Sequence, residues 1–140
     1  MDYQKLAEEF IDAMTASHPN HVPPPNINEL SQGEVGILVY LVEGNKNNVS
    51  AGELSDALKL TTGRIATALK TLEKKKLVRR KSDPNDGRKV IVNITDDGKT
   101  FILNKRAEVI AHFTENLKKL TLEEAEQFVT LAKKFLLPSS

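Results

Sequence analysis

The sequence contains one segment typical of a β-hairpin, and elsewhere its apolar residues recur at helical spacing. The runs 77–82 and 89–94 have the composition of β-strands. Between them stands Asp83-Pro-Asn-Asp-Gly, in which proline presets φ and glycine accepts a positive φ, so this segment predicts a tight turn. The chain is therefore expected to be mainly α-helical, with one small β-hairpin.

Six helices are predicted around this hairpin. Three of them begin at a Ser/Thr-x-x-Glu pair, in which each side chain satisfies a backbone N–H that the first helical turn leaves without a partner. These pairs are Ser31 with Glu34, Ser50 with Glu53, and Thr121 with Glu124. Apolar spacing places the helices over about residues 3–16, from 31 to the turn at 44, 50–58, from 61 or 62 to 75, from 95 or 96 to 118, and from 121 to Pro138.

The third and fourth predicted helices are short, and only the tight break Leu60-Thr-Thr-Gly separates them. The fourth has an apolar inner stripe formed by Ile65, Ala68, Leu69 and Leu72. Its outer face presents Arg64, Thr67, Lys70, Thr71 and Lys74. Two short helices, the second basic outside and followed by a hairpin, are typical of a winged helix-turn-helix. We assign residues 31–95 to this module, within a single unit of 140 residues.

The charge of the chain is uneven, although the net charge is only +1. Residues 59–89 contain 11 basic and 3 acidic residues, a local charge of +8, whereas the rest of the chain carries −7. No aromatic residue lies between positions 41 and 100, and aromatic side chains are what single-stranded nucleic acid stacks on. The segment therefore favours duplex DNA, held by its phosphates and read in a groove. The alternative is a solvated, lysine-rich helix surface.

The terminal segments 1–18 and 96–140 predict amphipathic helices that bracket a module with its own core. Their apolar stripes need a further surface, and a second copy of the chain supplies one most simply, as a two-fold dimer. The alternative is that these helices fold back on the module. The residues expected at the dimer interface are Leu6, Phe10, Met14, Phe113, Phe128 and Phe135.

Composition excludes several other classes of protein. The absence of cysteine rules out disulfides, a thiol nucleophile and a cysteine-ligated zinc site. The longest apolar run, Ile37 to Val42, is far shorter than the roughly 20 residues of a membrane span, and the N-terminus is acidic where a secretory signal is basic. We therefore expect a cytoplasmic protein without membrane contact.

Enzymatic activity and metal binding are also disfavoured. The neighbours of His112 suggest no nucleophile beside an oriented base, so we expect no enzyme and no cofactor. Glu108 and His112 lie four residues apart and could share a zinc ion, and His18 and His21 are further candidates. Ordinary surface side chains are the favoured interpretation, and we predict no metal.

A second alternative function is a winged helix used only for protein contact. Such a protein would have an apolar or acidic recognition face, whereas the fourth helix presents Arg64, Lys70 and Lys74.

Three stretches resemble the MarR-like family of winged-helix transcriptional regulators, named for multiple antibiotic resistance. They are Leu30-Ser-Gln-Gly-Glu, Leu69-Lys-Thr-Leu-Glu-Lys-Lys-Lys-Leu-Val-Arg-Arg, and Asp83-Pro-Asn-Asp-Gly-Arg-Lys followed by Val-Asn-Ile-Thr-Asp-Asp-Gly. The resemblance covers nearly the whole chain, and its third stretch is the most specific. It implies a homodimeric repressor on palindromic operator DNA, released when a small phenolic or acidic effector binds.

The resemblance also assigns roles in the hairpin, which it identifies as the wing. Arg88 is expected in the minor groove, Asp86 orients it, and Arg80 lies behind the wing. Two positions depart from the family pattern, because Gly87 replaces a frequent second arginine and Lys76 replaces a usual glycine. If residue 76 is left-handed, its side chain costs roughly 1 kcal/mol.

The recognition helix and the wing together supply the predicted DNA contacts. Base edges are assigned to the exposed start of the fourth helix, Thr61, Thr62, Arg64 and Thr67, because arginine binds guanine and a threonine methyl can touch thymine. Phosphates are assigned to Lys70, Lys74, Arg80 and Lys89. For Arg80 the alternative is an internal salt bridge to Asp83 or Asp86.

Overall fold

The computed structural model describes residues 2–17 and 32–138. The helices are α1 Tyr3–Ser17, α2 Gln32–Val42, α3 Ala51–Leu58, α4 Thr62–Lys74, α5 Asp96–Leu117 and α6 Leu122–Leu136, and the strands are β1 Val49–Ser50, β2 Val78–Ser82 and β3 Val90–Ile94. The chain divides into two compact units. One contains α1, the part of α5 from Lys105 onward and α6, and the other contains the chain from α2 to Asn104.

The second unit contains a three-stranded antiparallel sheet in the order β1-β3-β2. Strands β2 and β3 form the predicted hairpin, with Val78 opposite Ile94 and Ser82 opposite Val90. The short strand β1 was not predicted. It pairs Val49 with Val92 and therefore ties the start of α3 to the middle of β3.

The core of the second unit forms around α2, whose sequence is almost continuously apolar. This helix contacts α3, α4 and β3. Its buried side chains include Val35, Ile37, Leu38 and Leu41. The inner stripe of α4 is also buried as predicted, which fixes the rotation of α4 so that its polar face points outward.

Side-chain caps begin the helices largely where the sequence placed them. Ser50 accepts the backbone N–H of Glu53 at 3.0 Å, and Thr61, rather than Thr62, caps α4 by accepting the N–H of Arg64 at 3.1 Å. The box of Thr121 and Glu124 is complete, with both reciprocal hydrogen bonds present. Ser31 lies outside the described residues.

The carboxylate of Glu53 accepts a hydrogen bond from the Tyr40 hydroxyl. This bond joins α2 to α3, since the two residues lie on those helices. Because the hydroxyl donates to a carboxylate, the pKa of Tyr40 is raised above its ordinary value, and partial burial raises it further.

Residues 75–77 form the α4–β2 corner, which closes as a Schellman motif. The N–H of Leu77 donates to Leu72 O at 2.9 Å, and the N–H of Lys76 donates to Glu73 O at 2.9 Å. Lys76 is left-handed, with φ 64°. A lysine thus occupies the backbone conformation for which the family pattern uses glycine.

The first unit is a cluster of three helical segments from the two ends of the chain. Its buried core consists of Leu6, Ala7, Ile11, Val109, Ile110, Leu117, Ala125 and Val129. Phe10 packs against Phe113 and Phe128, with ring centroids 5.2 and 5.6 Å away. The Tyr3 hydroxyl donates to Leu120 O at 2.8 Å. The terminal segments therefore pack on one another.

This packing changes the interpretation of one predicted interface residue. Leu6 is only 3% exposed within the single chain, so it packs against its own helices instead of offering a surface to a second copy. Large apolar side chains that remain exposed on α6 are Leu122, Phe128, Leu131 and Phe135. Among the described residues, no helix has both the length and the apolar character needed to cross a bilayer.

Candidate nucleic-acid interface

The outward face of α4 carries most of the side chains that the sequence assigned to DNA. Thr61, Thr62, Arg64, Thr67, Lys70 and Lys74 are exposed, and Thr71 is half-buried. The Thr71 hydroxyl donates to Thr67 O at 3.3 Å, and the Thr61 oxygen is engaged as the helix cap. The remaining side chains point away from the buried stripe and are available to a partner.

The tip of the wing is built from short backbone turns. The Asp83 carboxylate accepts the N–H of Asn85 at 2.8 Å, and Asp86 O accepts the N–H of Lys89 at 2.9 Å. These bonds close the loop between β2 and β3 and bring Asp86 beside Arg88. The predicted turn is therefore present, but its backbone differs from the expectation, because Gly87 does not take the positive φ that a glycine accepts.

Arg88 extends from this tip with its side chain 95% exposed. The Asp86 carboxylate oxygen accepts the Arg88 backbone N–H at 3.1 Å and lies 3.5 Å from Arg88 Nε. An exposed ion pair of this length adds little stability. Asp86 thus lies beside Arg88, and its role in orienting the guanidinium stays a prediction.

Arg80 has a different environment from the other predicted phosphate contacts. Its guanidinium donates to Glu73 Oε1 from Nε at 3.1 Å and from Nη2 at 2.8 Å, and its side chain is 30% exposed. Because these bonds stabilise the charged carboxylate, the pKa of Glu73 is lowered below its ordinary value. An internal salt bridge was the alternative for Arg80, but its partner is Glu73 and not Asp83 or Asp86.

The other predicted phosphate contacts lack such partners. Within the described part of the chain, Arg64, Lys70, Lys74 and Lys89 form no ion pair. Arg79 and Lys81 on β2 are also exposed, and sequence reasoning had not assigned them. Because residues i and i+2 of a strand lie on the same face, the sequence could have placed Arg79 and Lys81 together on the exposed side of β2. A patch of unpaired positive charge thus extends over α4 and the hairpin, and such a patch attracts polyanions.

A cavity of about 400 Å³ opens beside the α4–β2 corner. Charged side chains of both signs line it, among them Glu73, Lys76, Arg79 and Asp97. Sites for small aromatic ligands are mostly apolar, with a few polar groups. This cavity therefore does not identify an effector.

The metal candidates of the sequence are engaged in ordinary contacts where they are described. Glu108 pairs with Lys105 at 3.6 Å, and His112 Nε2 lies 3.1 Å from Asn116 Nδ2. His18 and His21 lie outside the described residues. Across residues 2–17 and 32–138, no three His, Asp or Glu side chains gather closely enough to hold a metal ion.

A basic helix exposed behind a tight turn, followed by a hairpin with an arginine at its tip, defines the class of winged helix-turn-helix transcriptional regulators. The profile of the transcriptional regulators SarA and Rot matches residues 26–104, which is more than half of the chain. The chain belongs to this SarA/Rot family of transcriptional regulators.

Individual relatives agree with this assignment. The chain is 30% identical to the uncharacterized HTH-type transcriptional regulator YxaD of Bacillus subtilis over 82 residues, which are 59% of this chain and 57% of that protein. The chain thus spans just over half the length of the curated relatives it matches.

Solved structures show the same fold. The YusO protein from Bacillus subtilis superimposes with a TM-score of 0.69 at 20% identity, over 95% of this chain and 85% of that chain. MepR, a transcription regulator of the Staphylococcus aureus multidrug efflux pump MepA, gives a TM-score of 0.67 at 18% identity, over 94% and 88% of the two chains. The predicted fold class, a mainly α-helical winged helix-turn-helix, is confirmed.

Proposed function

We propose that this chain binds duplex DNA as a homodimeric repressor of palindromic operators and that a small effector releases it. The observation that carries the proposal is the patch of exposed cations on α4 and the wing. Lys70 and Lys74 lie on the same exposed helix face as Arg64, and Arg88 projects from the hairpin tip. A helix in the major groove and a wing along the backbone would use both elements at once.

The start of α4 is the proposed reading surface. Arg64 can donate two hydrogen bonds to a guanine, and the methyl groups of Thr61, Thr62 and Thr67 can contact thymine. Lys70, Lys74 and Lys89 supply charge to phosphates, which adds affinity without sequence information. Thr71 borders this surface, because its hydroxyl is turned back to the helix backbone.

Arg88 is proposed to enter a minor groove. Narrow A·T-rich tracts concentrate negative potential there, and a fully extended guanidinium fits such a groove. The single arginine at this wing tip, next to Gly87, makes its contribution easy to isolate by mutation.

The dimer is proposed to form through the first unit. Phe128, Leu131 and Phe135 follow each other at helical spacing on α6 and are exposed, and Phe135 is 88% exposed. Apolar side chains grouped in this way usually mark an interaction surface. A second copy would cover them, with Phe10, Met14 and Phe113 beneath or beside that surface, and would supply the second reading head that a palindrome requires.

The remaining parts of the proposal rest on the family resemblance. Repression, release by a small phenolic or acidic effector, location in the cytoplasm and the absence of enzymatic activity are typical of MarR-like regulators. We propose no metal or other cofactor for this chain.

The test measures binding to a duplex that the protein itself selects from a randomised pool. Arg88→Ala should weaken binding by about 5- to 150-fold, because one good groove contact is worth about 1–3 kcal/mol. The matched control is Lys119→Ala, which removes one exposed positive charge from the turn after α5. Equal affinity of wild type and Arg88→Ala at moderate salt contradicts the role of the wing.

The same assay separates DNA binding from an adaptor function. A winged helix that contacts only proteins shows no salt-sensitive binding to random duplex, even at low ionic strength. Failure of the wild-type protein to shift any duplex at low salt would therefore overturn the proposed function as a whole.

A further inference from the structure

One carboxylate on α4 holds Arg80 by three hydrogen bonds. Glu73 Oε1 accepts the two guanidinium donors, and Glu73 Oε2 accepts the backbone N–H of Arg80 at 3.2 Å. Hydrogen bonds between charged groups are stronger than neutral ones, and a planar guanidinium fits a carboxylate in a fixed orientation. We name these two residues the Glu73–Arg80 pair.

The backbone bond of this pair lies at the outer edge of the sheet. In the order β1-β3-β2, strand β2 has a neighbouring strand on one side only, and its Arg80 stands opposite Val92. The N–H of Arg80 is accepted by a side chain from the last turn of α4. The Glu73 side chain of the recognition helix thus accepts a backbone N–H that a further strand would otherwise bind.

The α4–β2 corner next to the pair is held from α5 as well. The Thr95 hydroxyl donates to Lys76 O at 2.8 Å, and the Thr95 N–H donates to Leu77 O at 3.0 Å. A Cβ added to Gly98 would lie 2.1 Å from Leu77 O, so α5 approaches this backbone as closely as a glycine allows. The pair therefore joins a corner that is already fixed on its other side.

We propose that the Glu73–Arg80 pair positions the wing on the recognition helix, and that Arg80 acts on DNA through this geometry instead of through a phosphate contact. The inference rests on the proposed function. Strand β2 has 5 residues, about 16 Å in length, so a tilt of about 10° at its root would move the wing tip by about 3 Å. A displacement of this size takes Arg88 out of hydrogen-bonding range.

The two roles of Arg80 predict opposite signs for Glu73. If Arg80 contacts a phosphate, removing the nearby anion with Glu73→Ala should strengthen binding, since it removes repulsion and releases the guanidinium. If the pair positions the wing, Glu73→Ala should weaken binding about tenfold, and Arg80→Ala should weaken it equally. The double variant should then lose no more affinity than either single variant.

Salt dependence gives a second readout on the selected duplex. Losing a phosphate contact flattens the slope of log affinity against log salt by about 0.9. Lys70→Ala, the reference variant, should show this change, and Arg80→Ala should leave the slope as in wild type. Arg80→Lys keeps the charge but loses the planar fork, so it should behave like Arg80→Ala. A flattened slope for Arg80→Ala, or full affinity in Arg80→Lys, overturns the inference.

Amide hydrogen exchange tests the pair without DNA. Glu73→Gln should accelerate exchange at Arg80 and along β2 and leave the amides of α1 and α6 unchanged, which also verifies that the variant is folded. Unchanged exchange along β2 overturns the positioning role. If the wild-type protein selects no duplex, the proposed function fails, but hydrogen exchange along β2 still tests whether the Glu73–Arg80 pair holds the wing. If wild type binds and Arg80→Ala flattens the slope, only this inference fails.

Discussion

Lys76 holds a backbone conformation that glycine adopts at lower energy. Its φ of 64° is imposed by the Schellman motif at the α4–β2 corner. We predict that Lys76→Gly stabilises the protein by about 1 kcal/mol, which raises the melting temperature by about 3 °C. Thermal unfolding followed by circular dichroism measures this shift.

The adjacent residue provides the control for this prediction. Lys75 has φ −83°, which any residue adopts, so Lys75→Gly should bring no gain and a small loss. An equal gain in both variants would mean that removal of positive charge, and not relief of the left-handed backbone, causes the effect.

Gly98 and Gly63 are predicted to respond to alanine in opposite directions. A Cβ at Gly98 would lie 2.1 Å from Leu77 O and 2.8 Å from Ile94 Cγ1, so Gly98→Ala should destabilise the protein by about 3 kcal/mol or more. A Cβ at Gly63 meets nothing within 4 Å, and Gly63→Ala should stabilise α4 by up to about 1 kcal/mol. Urea unfolding of both variants compares them, and a mild effect at Gly98 would contradict the close approach.

Residue-scale features were predictable where the cause is local. Comparison with a glycine pattern raised a left-handed backbone at Lys76 as one alternative, and the break before α4 predicted a cap at Thr61 or Thr62. The partner of Arg80 was not predictable in this way. Asp83 and Asp86 are closer in sequence, but the α4–β2 corner turns Glu73, seven residues earlier, toward the guanidinium. Its signal was that Glu73 is the only acid between residues 59 and 82.

At the scale of elements, the stability that the junction of α4 and β2 contributes to the fold should depend on pH. The pKa of Glu73 is lowered by Arg80, so the charged carboxylate stabilises the fold at neutral pH, and this contribution is lost as the pH falls below the ordinary value of 4.5. We predict that wild type is more stable than Glu73→Gln at pH 7 and that the difference shrinks toward pH 3. Urea unfolding at both pH values measures it.

Glu126→Gln on the exposed face of α6 is the control, because it removes one carboxylate outside the winged module. Its difference from wild type should stay small at both pH values. A stability difference between wild type and Glu73→Gln that grows as the pH is lowered would contradict the assigned sign.

The elements themselves were mostly predictable, because capping residues and apolar periodicity are local signals. The helix starts at Ser50, Thr61 and Thr121 are examples. Strand β1 was missed because it has only two residues, and one of them, Ser50, also caps α3. Its strand character exists only through pairing with β3, and a two-residue run has no alternation to detect.

At the scale of the whole molecule, self-association should depend on the exposed apolar residues of α6. We predict that Phe135→Glu shifts the proposed dimer toward monomer, because a charge placed in an apolar interface must be desolvated without a partner. Sedimentation at several protein concentrations measures the shift. Thr130→Glu, an exposed change on the opposite side of α6, should leave the dimer unchanged.

If Phe135→Glu remains fully dimeric, the interface lies elsewhere on the first unit. The sequence identified the amphipathic character of α6 but not which apolar residues the chain would bury by itself. Leu6 and Phe128 both belong to such stripes, and only the packing of α1 on α6 shows that Leu6 is covered and Phe128 is not.

The position of Glu73 beside β2 also bears on solubility. A strand with an open edge is a template on which other chains can add strands and aggregate, and proteins protect such edges by covering them or by placing charges there. Here the Glu73 carboxylate accepts the backbone N–H of Arg80. The neighbouring residues Arg79 and Lys81 add exposed positive charge to this edge. The contact between the recognition helix and the wing is therefore also a protection of this sheet edge against the addition of strands from other chains.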